Sequence, residues 1–509
     1  MPPLATGGVR AAPASNIESL RGFFRLHAPL LMVLAVALLV RAMLSTTADV
    51  SWLITVGEKV LDGAQPYRDI LEVNPPASIL IYLPAVALAR LLHLSPEFVV
   101  GTLVFVGIGI ALLIAGAITR HAKLFSEDAA SRLAALFAAV LLILPAQAFA
   151  QREHVALIAF MPALAVYAAR SAGKSPALMF ALIAGVGAGI TVVIKPHLVF
   201  GIVFASAAAA ASTRDWRVLF APENWVAAAM AIAYAALVWL AYPVFISDVL
   251  PLVSAIYLPV RAELWKFLVH FATPVFALAL LTIWMLKRRA MFAAPYSVLL
   301  AAAAGFSISY YAQLKGWAYH SYPMLALIVA AAAIAFVQRW PLGMKEESPG
   351  ERGKRLGAAA LTGLLAAATF LWMSFHVDTR ALLDPIRTNV KNPKILAISS
   401  DIAVGHPLTR ALNGKWVGRV CSQWIAAGSL ILQLQANDAA GIARLKSYEA
   451  RDRAMLVEDI ARERPDIILV DRIRFDWLKW ANADAALANE LAKYRELAVI
   501  DDILILRRK

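Results

Sequence analysis

The sequence contains little cysteine and little charge relative to its apolar content. Cys421 is the only cysteine among 509 residues, so an intrachain disulfide and a cysteine-based metal site are both excluded. Charged residues make up 16% of the chain and apolar residues 61%, well above the ~45–50% of soluble domains. These proportions argue against an ordinary soluble domain and favour a membrane protein.

Long hydrophobic runs recur along the chain. Each holds about 17–22 apolar residues, which is the length that crosses a hydrocarbon core. The sequence therefore predicts a mainly α-helical polytopic membrane protein with about 11–12 hydrophobic helices. The runs are 26–45, 77–94, 98–118, 132–149, 153–170, 177–194, 197–213, 224–243, 267–286, 294–312, 321–337 and 357–376.

The net charge of +14 does not indicate nucleic-acid binding. Lysine and arginine fall largely in short loops between the runs, where the positive-inside rule places them in the cytoplasm. Arg10, Arg21 and Arg25 precede the first run, so residues 1–25 are predicted to form a cytoplasmic tail. The first run lacks a small-residue cleavage pattern and is expected to remain as an anchor.

Alternation of the basic loops predicts which polar segments lie outside. The first outer loop, 46–76, falls on the same side as Glu153. Three hydrophobic runs separate these two points, although two outer points require an even number of crossings. One run therefore does not cross. The run 132–149 is the expected exception, because Pro145 and flanking glutamines are typical of a re-entrant helix.

The character of the sequence changes after residue 377. Buried-strand patterns begin at Lys394, Asp466 and Ala498, and helical patterns cover 437–464 and 476–495. Alternating strands and helices predict a small extracytoplasmic α/β domain. The predicted organisation is a tail over 1–25, a transmembrane domain over 26–376 and a terminal domain over 377–509.

The first outer loop carries a polar stretch, 49–76, between two hydrophobic runs. Residues 49–62 have one apolar and one polar face, which is typical of a helix lying in the membrane interface, and Gly63 suits its C-terminal cap. Asp49 stands at the start of this helix, so it could serve only as a cap. The segment from Glu72 to Pro76 directly precedes the second run, and its two prolines suit the first turn of the next helix.

Three further polar interruptions are predicted on the same side. Each alone fits a lysine that snorkels to the interface or an interfacial aromatic belt. Together, their cations and carboxylates could line one cavity that holds a lipid phosphate and an acid/base pair. They are 151–154 (QREH), 195–197 (KPH) and 315–320 (KGWAYH).

The order of these motifs resembles the GT-C superfamily of integral membrane glycosyltransferases, near bacterial relatives of the protein O-mannosyltransferases and the lipid A aminoarabinose transferase. The resemblance rests on an early loop aspartate, residues 63–69 (GAQPYRD) and an acidic residue shortly before two prolines. It implies inverting transfer of a sugar from a polyprenyl-phosphate donor to a lipid, glycan or protein acceptor. It also implies a multi-pass protein of the bacterial inner membrane that acts at the outer face.

The resemblance assigns roles to single positions. The family's general base corresponds to Asp49, and its carboxylate before the prolines corresponds to Glu72. These are the predicted catalytic residues and the candidate ligands for a divalent Mg, Mn or Zn ion. A lysine is usual in the family where this chain has Asn74. The predicted substrate or acceptor contacts are Tyr67, Arg68, Asp69, Glu153, His197, Tyr319 and His320.

A phosphate leaving group needs cations that stabilise its developing charge. The candidates for this donor site are Arg152, Lys195, Arg261 and Lys315. Two other functions remain open. A transporter or flippase of an anionic lipid-linked sugar would need ionisable residues near mid-membrane, whereas the runs here are nearly free of charge. A lipid-linked glycan ligase or polymerase would use the same reaction class with a larger transferred group.

Overall fold

The computed structural model describes residues 15–286, 294–340 and 348–509, so residues 1–14 of the predicted tail lie outside the described parts. Six described helices are long and apolar enough to cross a membrane, and a bent pair, 27–43 with Ala48–Leu61, would make a seventh. Shorter apolar helices pack beside them, and a five-stranded sheet lies near the C-terminus. The predicted polytopic helical architecture with a small C-terminal α/β domain is confirmed.

Small residues allow the helices of the membrane part to approach closely, as is usual where helices pack in lipid. At Gly187 an added Cβ would lie 2.2 Å from the carbonyl oxygen of Ala159, and at Gly305 the same distance from that of Phe200. The helices are α1 (Ser15–Met43), α2 (Ala48–Leu61), α3 (Ala77–Leu80), α4 (Leu83–Leu92), α5 (Pro96–His121), α6 (Glu127–Leu142), α7 (Arg152–Ser171), α8 (Leu178–Ile194), α9 (Val199–Thr213), α10 (Pro222–Ala241), α11 (Leu250–Leu252, between π-helical turns Phe245–Val249 and Val253–Tyr257), α12 (Leu264–Leu268), α13 (Ala272–Leu286), α14 (Ala294–Gln313), α15 (Tyr322–Arg339) and α16 (Pro349–Met373).

The predicted helix over 49–62 is confirmed as α2. The chain bends by 76° between α1 and α2. Its apolar residues, including Trp52 and Val56, are buried, while its polar C-terminal turn is partly exposed. Gly63 follows the helix with φ +97°, a conformation that glycine adopts without strain. The chain can therefore turn sharply out of α2 into the segment that carries Glu72.

The expectation that the run 132–149 does not cross the membrane stays a prediction. The run 77–94 forms two short helices, α3 and α4. Helix α4 lies along α2: Val86 contacts Gly57, and Arg90 donates to Asp62, 3.0 Å away. Helix α6, by contrast, packs along α1. The ion pair of Arg90 with Asp62 joins α4 to the end of α2.

The terminal domain holds a mixed sheet with strand order β2-β1-β3-β5-β4. Strands β1 (Lys394–Ile398), β2 (Lys415–Trp416) and β3 (Ile467–Asp471) are parallel, and β4 (Tyr494–Ile500) and β5 (Ile503–Arg508) form an antiparallel hairpin. The single strand pattern from Ala498 is therefore two strands joined at Asp501 and Asp502, which both have positive φ. The helices are α17 (Leu383–Asn389), α18 (Leu408–Ala411), α19 (Trp424–Gln433), α20 (Ala439–Glu463), α21 (Trp477–Asn482) and α22 (Ala485–Leu491).

The terminal domain docks on α2, on the start of α5 and on the loop that carries Leu71. Arg410 of α18 forms ion pairs with Glu58 of α2, at 2.5 Å, and with Glu97 at the start of α5. The backbone N–H of Leu71 donates to the carbonyl of Arg419, 2.8 Å away. These contacts join α18 and the segment after β2 to α2 and to the loop that follows α2.

One buried carboxyl makes the stability of the terminal domain depend on pH. Asp452 is 1% exposed; burial raises its pKa to about 7, opposed by the hydrogen bond from the Ala426 N–H and reinforced by Asp459 and Glu449. Between about pH 4 and about pH 7 the folded protein keeps a proton that the unfolded chain has released, so stability falls as pH rises.

We therefore expect the Asp452→Asn protein to lose less stability as pH rises, because the amide cannot ionise and its oxygen still accepts from the N–H of Ala426. Melting temperatures of the detergent-solubilised protein, measured between about pH 5 and about pH 8, would show the difference. Asp438→Asn is the matched control, since Asp438 is an exposed helix cap and asparagine caps equally well. Equal pH profiles for wild type and Asp452→Asn would contradict the assignment.

Candidate active site

The N-termini of α2 and α7 meet at one threonine. The hydroxyl of Thr47 accepts from the N–H of Val50, 3.3 Å away, and so caps α2. The side-chain amide of Gln151, just before α7, donates to the same hydroxyl at 2.9 Å. The expectation that Asp49 could be only a cap is wrong, because Thr47 takes that role. The Asp49 carboxylate is left to make other contacts.

Asp49 faces the first residue of α7. The Nη2 atom of Arg152 lies 3.3 Å from Oδ1 of Asp49, and the hydroxyl of Tyr319 lies 3.5 Å from the same oxygen. The Arg152 side chain is only 4% exposed, whereas that of Asp49 is 25% exposed. Arg152 and Tyr319 therefore hold one oxygen of the Asp49 carboxylate, while part of the side chain stays accessible to a bound molecule.

A second acid–base cluster lies beside this pair. Glu153, 1% exposed in its side chain, pairs with the ammonium of Lys195 and lies 3.5 Å from Nε2 of His320. Pro196 ends α8, so the residue before it is extended, with φ −148° at Lys195. That bend places the lysine beside the start of α7. Burial lowers the pKa of Lys195, Glu153 opposes this, and Arg152 lowers the pKa further.

Several buried polar atoms of this cluster have no partner within the described parts of the protein. Buried polar atoms without hydrogen bonds are costly, and they concentrate where a ligand or water binds. Most of the unsatisfied atoms here are on basic side chains, which suits an anion. They are Nε and Nη1 of Arg152, Oε2 of Glu153, Nε2 of His197 and Nδ1 of His320.

Glu72 lies in the same region but is already engaged. Its Oε2 accepts from the indole N–H of Trp52 at 2.6 Å, and its Oε1 accepts from the backbone and side chain of Asn74. The residue is 2% exposed. Sequence reasoning placed Trp52 only on the apolar face of α2, although a buried tryptophan N–H usually has an acceptor. Glu72 therefore fixes the loop that leads into α3.

The other predicted site residues lie around the cluster rather than in it. Tyr67 is buried and donates to the carbonyl of Asn74 at 2.7 Å. Arg68 and Asp69 are exposed and both bond to Gln65. Their predicted contacts with acceptor remain predictions, and in this structure these bonds shape the turn.

Arg261 lies in the loop before α12, and Lys315 lies in the loop between α14 and α15. The Lys315 ammonium lies over the ring of Tyr257, 4.1 Å from its centroid, and donates to the carbonyls of Tyr257 and Val260. Burial lowers the pKa of Lys315 to about 8, and Arg261 lowers it further. Arg261 is exposed and donates to the carbonyl of Leu258 at 3.1 Å.

The turn between α6 and α7 is held by residues that sequence reasoning did not use. His154 accepts from the N–H of Ala150 and contacts the carbonyl of Leu141, 2.8 Å away, while the hydroxyl of Tyr82 donates to the carbonyl of Ala150 at 2.6 Å.

In the ranges 15–286, 294–340 and 348–509, no three His, Cys, Asp or Glu side chains converge as a metal-binding group. Asp49 and Glu72 are instead engaged with Arg152 and with Trp52 and Asn74.

Comparison with known proteins identifies the fold. No protein-family profile and no curated protein matches the sequence. The crystal structure of ArnT from Cupriavidus metallidurans bound to undecaprenyl phosphate matches with 13% identity and a TM-score of 0.54, over 94% of this chain and 98% of that chain. The apo ArnT structure matches with 12% identity and a TM-score of 0.51, over 94% and 97%. The chain therefore has the fold of these ArnT structures along nearly its whole length.

Proposed function

We propose that this protein is an inverting glycosyltransferase that moves a sugar from a polyprenyl-phosphate donor to a lipid, glycan or protein acceptor. The observation that carries the proposal is Arg152, a buried guanidinium that binds Asp49 through Nη2 and leaves Nε and Nη1 without partners in the described protein. Guanidinium groups bind phosphate oxygens through charge-assisted hydrogen bonds. A donor phosphate would supply the missing acceptors.

The surroundings of Arg152 also favour an anion. Lys195 brings a second cation, and the N-termini of α2 and α7 direct backbone N–H groups toward the same region. The likeness to ArnT supports the same ligand class, since one of the matching ArnT structures holds undecaprenyl phosphate. The proposed donor site therefore centres on Arg152 and Lys195. Lys315 and Arg261 instead donate to backbone carbonyls between Tyr257 and Val260.

Asp49 is positioned to act as the general base. In the proposed step the acceptor hydroxyl oxygen forms a bond to the anomeric carbon while the bond from that carbon to the phosphate oxygen breaks. The hydroxyl proton passes to Asp49, and the bonding electrons pass to the phosphate, whose charge Arg152 and Lys195 stabilise. Attack from the side opposite the phosphate inverts the anomeric centre. Tyr319 and Arg152 hold the Asp49 carboxylate in place.

The remaining predicted residues take supporting roles in the proposal. Glu72 fixes the loop before α3 through Trp52 and Asn74. His197 and His320 border the Glu153–Lys195 pair and offer ring nitrogens to the donor or acceptor. The proposed orientation, with a cytoplasmic N-terminus and a periplasmic terminal domain in a bacterial inner membrane, would place this cluster at the outer face.

Transfer assays in membranes test the proposal. Membranes that contain the protein would be incubated with a panel of radiolabelled polyprenyl-phosphate sugars. We expect label to appear in an acceptor with loss of the donor, at a rate above that of membranes without the protein. The mass of the product distinguishes one added sugar from a transferred block, which a ligase would produce. Label that crosses the membrane without any product would indicate a transporter and contradict the proposal.

A further inference from the structure

A second polar cavity lies at the end of α2 remote from Asp49. Its volume is about 380 Å³, and it separates the C-terminal turn of α2 and the end of α4 from the terminal domain. The proposed reaction does not use it. The lining residues are Thr55, Glu58, Lys59, Asp62, Val86, Arg90, Leu94, Pro96, Thr409, Arg410, Gly414, Lys415 and Trp416.

The charges of this cavity do not balance. Arg410 is paired with Glu58 and with the neighbouring Glu97, and Arg90 is paired with Asp62. Two lysines remain. Within the described ranges, the Lys415 ammonium has neither an ion pair nor a hydrogen bond, and the Lys59 ammonium donates only to the carbonyl of Gly418, at 2.8 Å.

The two lysines repel each other across the cavity. Two carboxylates of the terminal domain, those of Asp459 and Glu463, attract the Lys59 ammonium. Both also form ion pairs with Arg462, whose guanidinium repels Lys59. Asp459 forms a further ion pair with Arg419. The acidic groups of the terminal domain are therefore shared among several cations. An anion between Lys59 and Lys415 would relieve the repulsion directly.

The rim of the cavity is apolar and exposed. Leu94 and Pro96 line the cavity itself, and around them Leu91 is 75% exposed, Leu92 52% and Phe98 61%. Phe98 lies in the first turns of α5, a helix long and apolar enough to cross a membrane. The cavity therefore opens beside a surface suited to hydrocarbon chains. A free anion would gain nothing from these side chains, whereas a lipid would use both the cations and the apolar rim.

We propose that this cavity binds the phosphate headgroup of an anionic membrane lipid between Lys59 and Lys415, with its acyl chain against Leu91, Leu92 and Phe98. The inference is independent of the proposed transfer reaction. Lys59 belongs to the first outer loop and Lys415 to β2 of the terminal domain, so the bound phosphate joins the two parts. The lipid therefore stabilises the docking of the terminal domain on α2.

Lipid-dependent thermal stability of the full-length protein tests this site. Detergent-solubilised protein would be titrated with phosphatidylglycerol, with phosphatidylcholine and with inorganic phosphate. We expect phosphatidylglycerol to raise the melting temperature well beyond phosphatidylcholine. Lys415→Gln should require about fivefold more phosphatidylglycerol for the same effect, the change expected for losing one lysine contact with an anionic lipid. Lys415 is exposed and makes no side-chain bond that the folded protein would lose.

Lys446→Gln is the matched control, because Lys446 is an exposed lysine of the same domain on α20, outside the cavity. It should respond to phosphatidylglycerol as wild type does. Lys59→Gln should weaken the response as Lys415→Gln does. An unchanged response in Lys415→Gln, or equal effects of the two lipids on wild type, would overturn the proposal. Inorganic phosphate that reproduces the full effect at the lipid's concentration would overturn the assignment to a lipid.

Discussion

Asp49→Asn is expected to lower kcat for sugar transfer by about a thousandfold, within the range that general-base residues contribute. The amide keeps the size of the carboxylate and can still accept from Arg152, so the loop and the α2–α7 contact should persist. It cannot take a proton from the acceptor hydroxyl. Because the donor phosphate is proposed to bind Arg152 and Lys195, the KM for donor should change far less than kcat.

The measurement is the initial rate of transfer at saturating and limiting donor, together with the melting temperature of each variant. Asp378→Asn is the matched control: it makes the same chemical change at an exposed aspartate, 49% accessible, outside the proposed site. Its transfer rate should equal that of wild type. A fully active Asp49→Asn protein would remove Asp49 from the mechanism. A loss of activity that accompanies a large fall in melting temperature would point to a structural role instead.

Local sequence signals predicted the elements that surround the site. The mixed faces over 49–62 predicted α2 nearly to its ends, and Gly63 and Pro76 lie next to helix termini as their conformational preferences require. Polar interruptions in apolar runs also identified Arg152, Glu153 and Lys195, because ionisable groups near a bilayer need partners. The structure brings these three side chains together with Asp49.

One error arose where two signals competed. Thr47 and Asp49 are both good N-cap residues, and only the structure shows that Thr47 takes the cap and frees the carboxylate. The packing of α4 on α2 was not predicted either, because the run 77–94 is similar in hydropathy to a run that spans a membrane. The partner of Arg90 within that run, Asp62, is known only from the structure.

Long-range contacts could not be predicted at all. Arg410 meets Glu58 and Glu97 from a domain more than three hundred residues away, and no local pattern selects those partners. The bond between Trp52 and Glu72 is similar, since it depends on how the chain folds back after Gly63. Motif order indicated the fold, but the pairing of charges across the site is a property of tertiary structure.

The buried pair of Glu153 and Lys195 gives the largest expected effect on stability. Lys195→Met leaves an almost fully buried carboxylate without its ion-pair partner, and Glu153→Gln leaves a buried ammonium facing a neutral amide. Removing one partner of a buried ion pair typically costs about 3–5 kcal/mol. Each single variant should therefore unfold at a clearly lower temperature than wild type.

The double variant Glu153→Gln/Lys195→Met should recover much of that loss, because it removes both charges, while remaining unable to bind the donor phosphate normally. Thermal unfolding of wild type, both single variants and the double variant forms the required cycle. Glu263 and Lys266 supply the control, since their side chains form an exposed pair, 60% and 57% accessible. The corresponding changes there should cost at most about 1 kcal/mol. Single variants at 153 and 195 that were as mild as those at 263 and 266 would mean that the two charges are not buried together. The anion site proposed beside them would then lose its basis, because the lowered pKa of Lys195 and the unsatisfied atoms around it both follow from that burial.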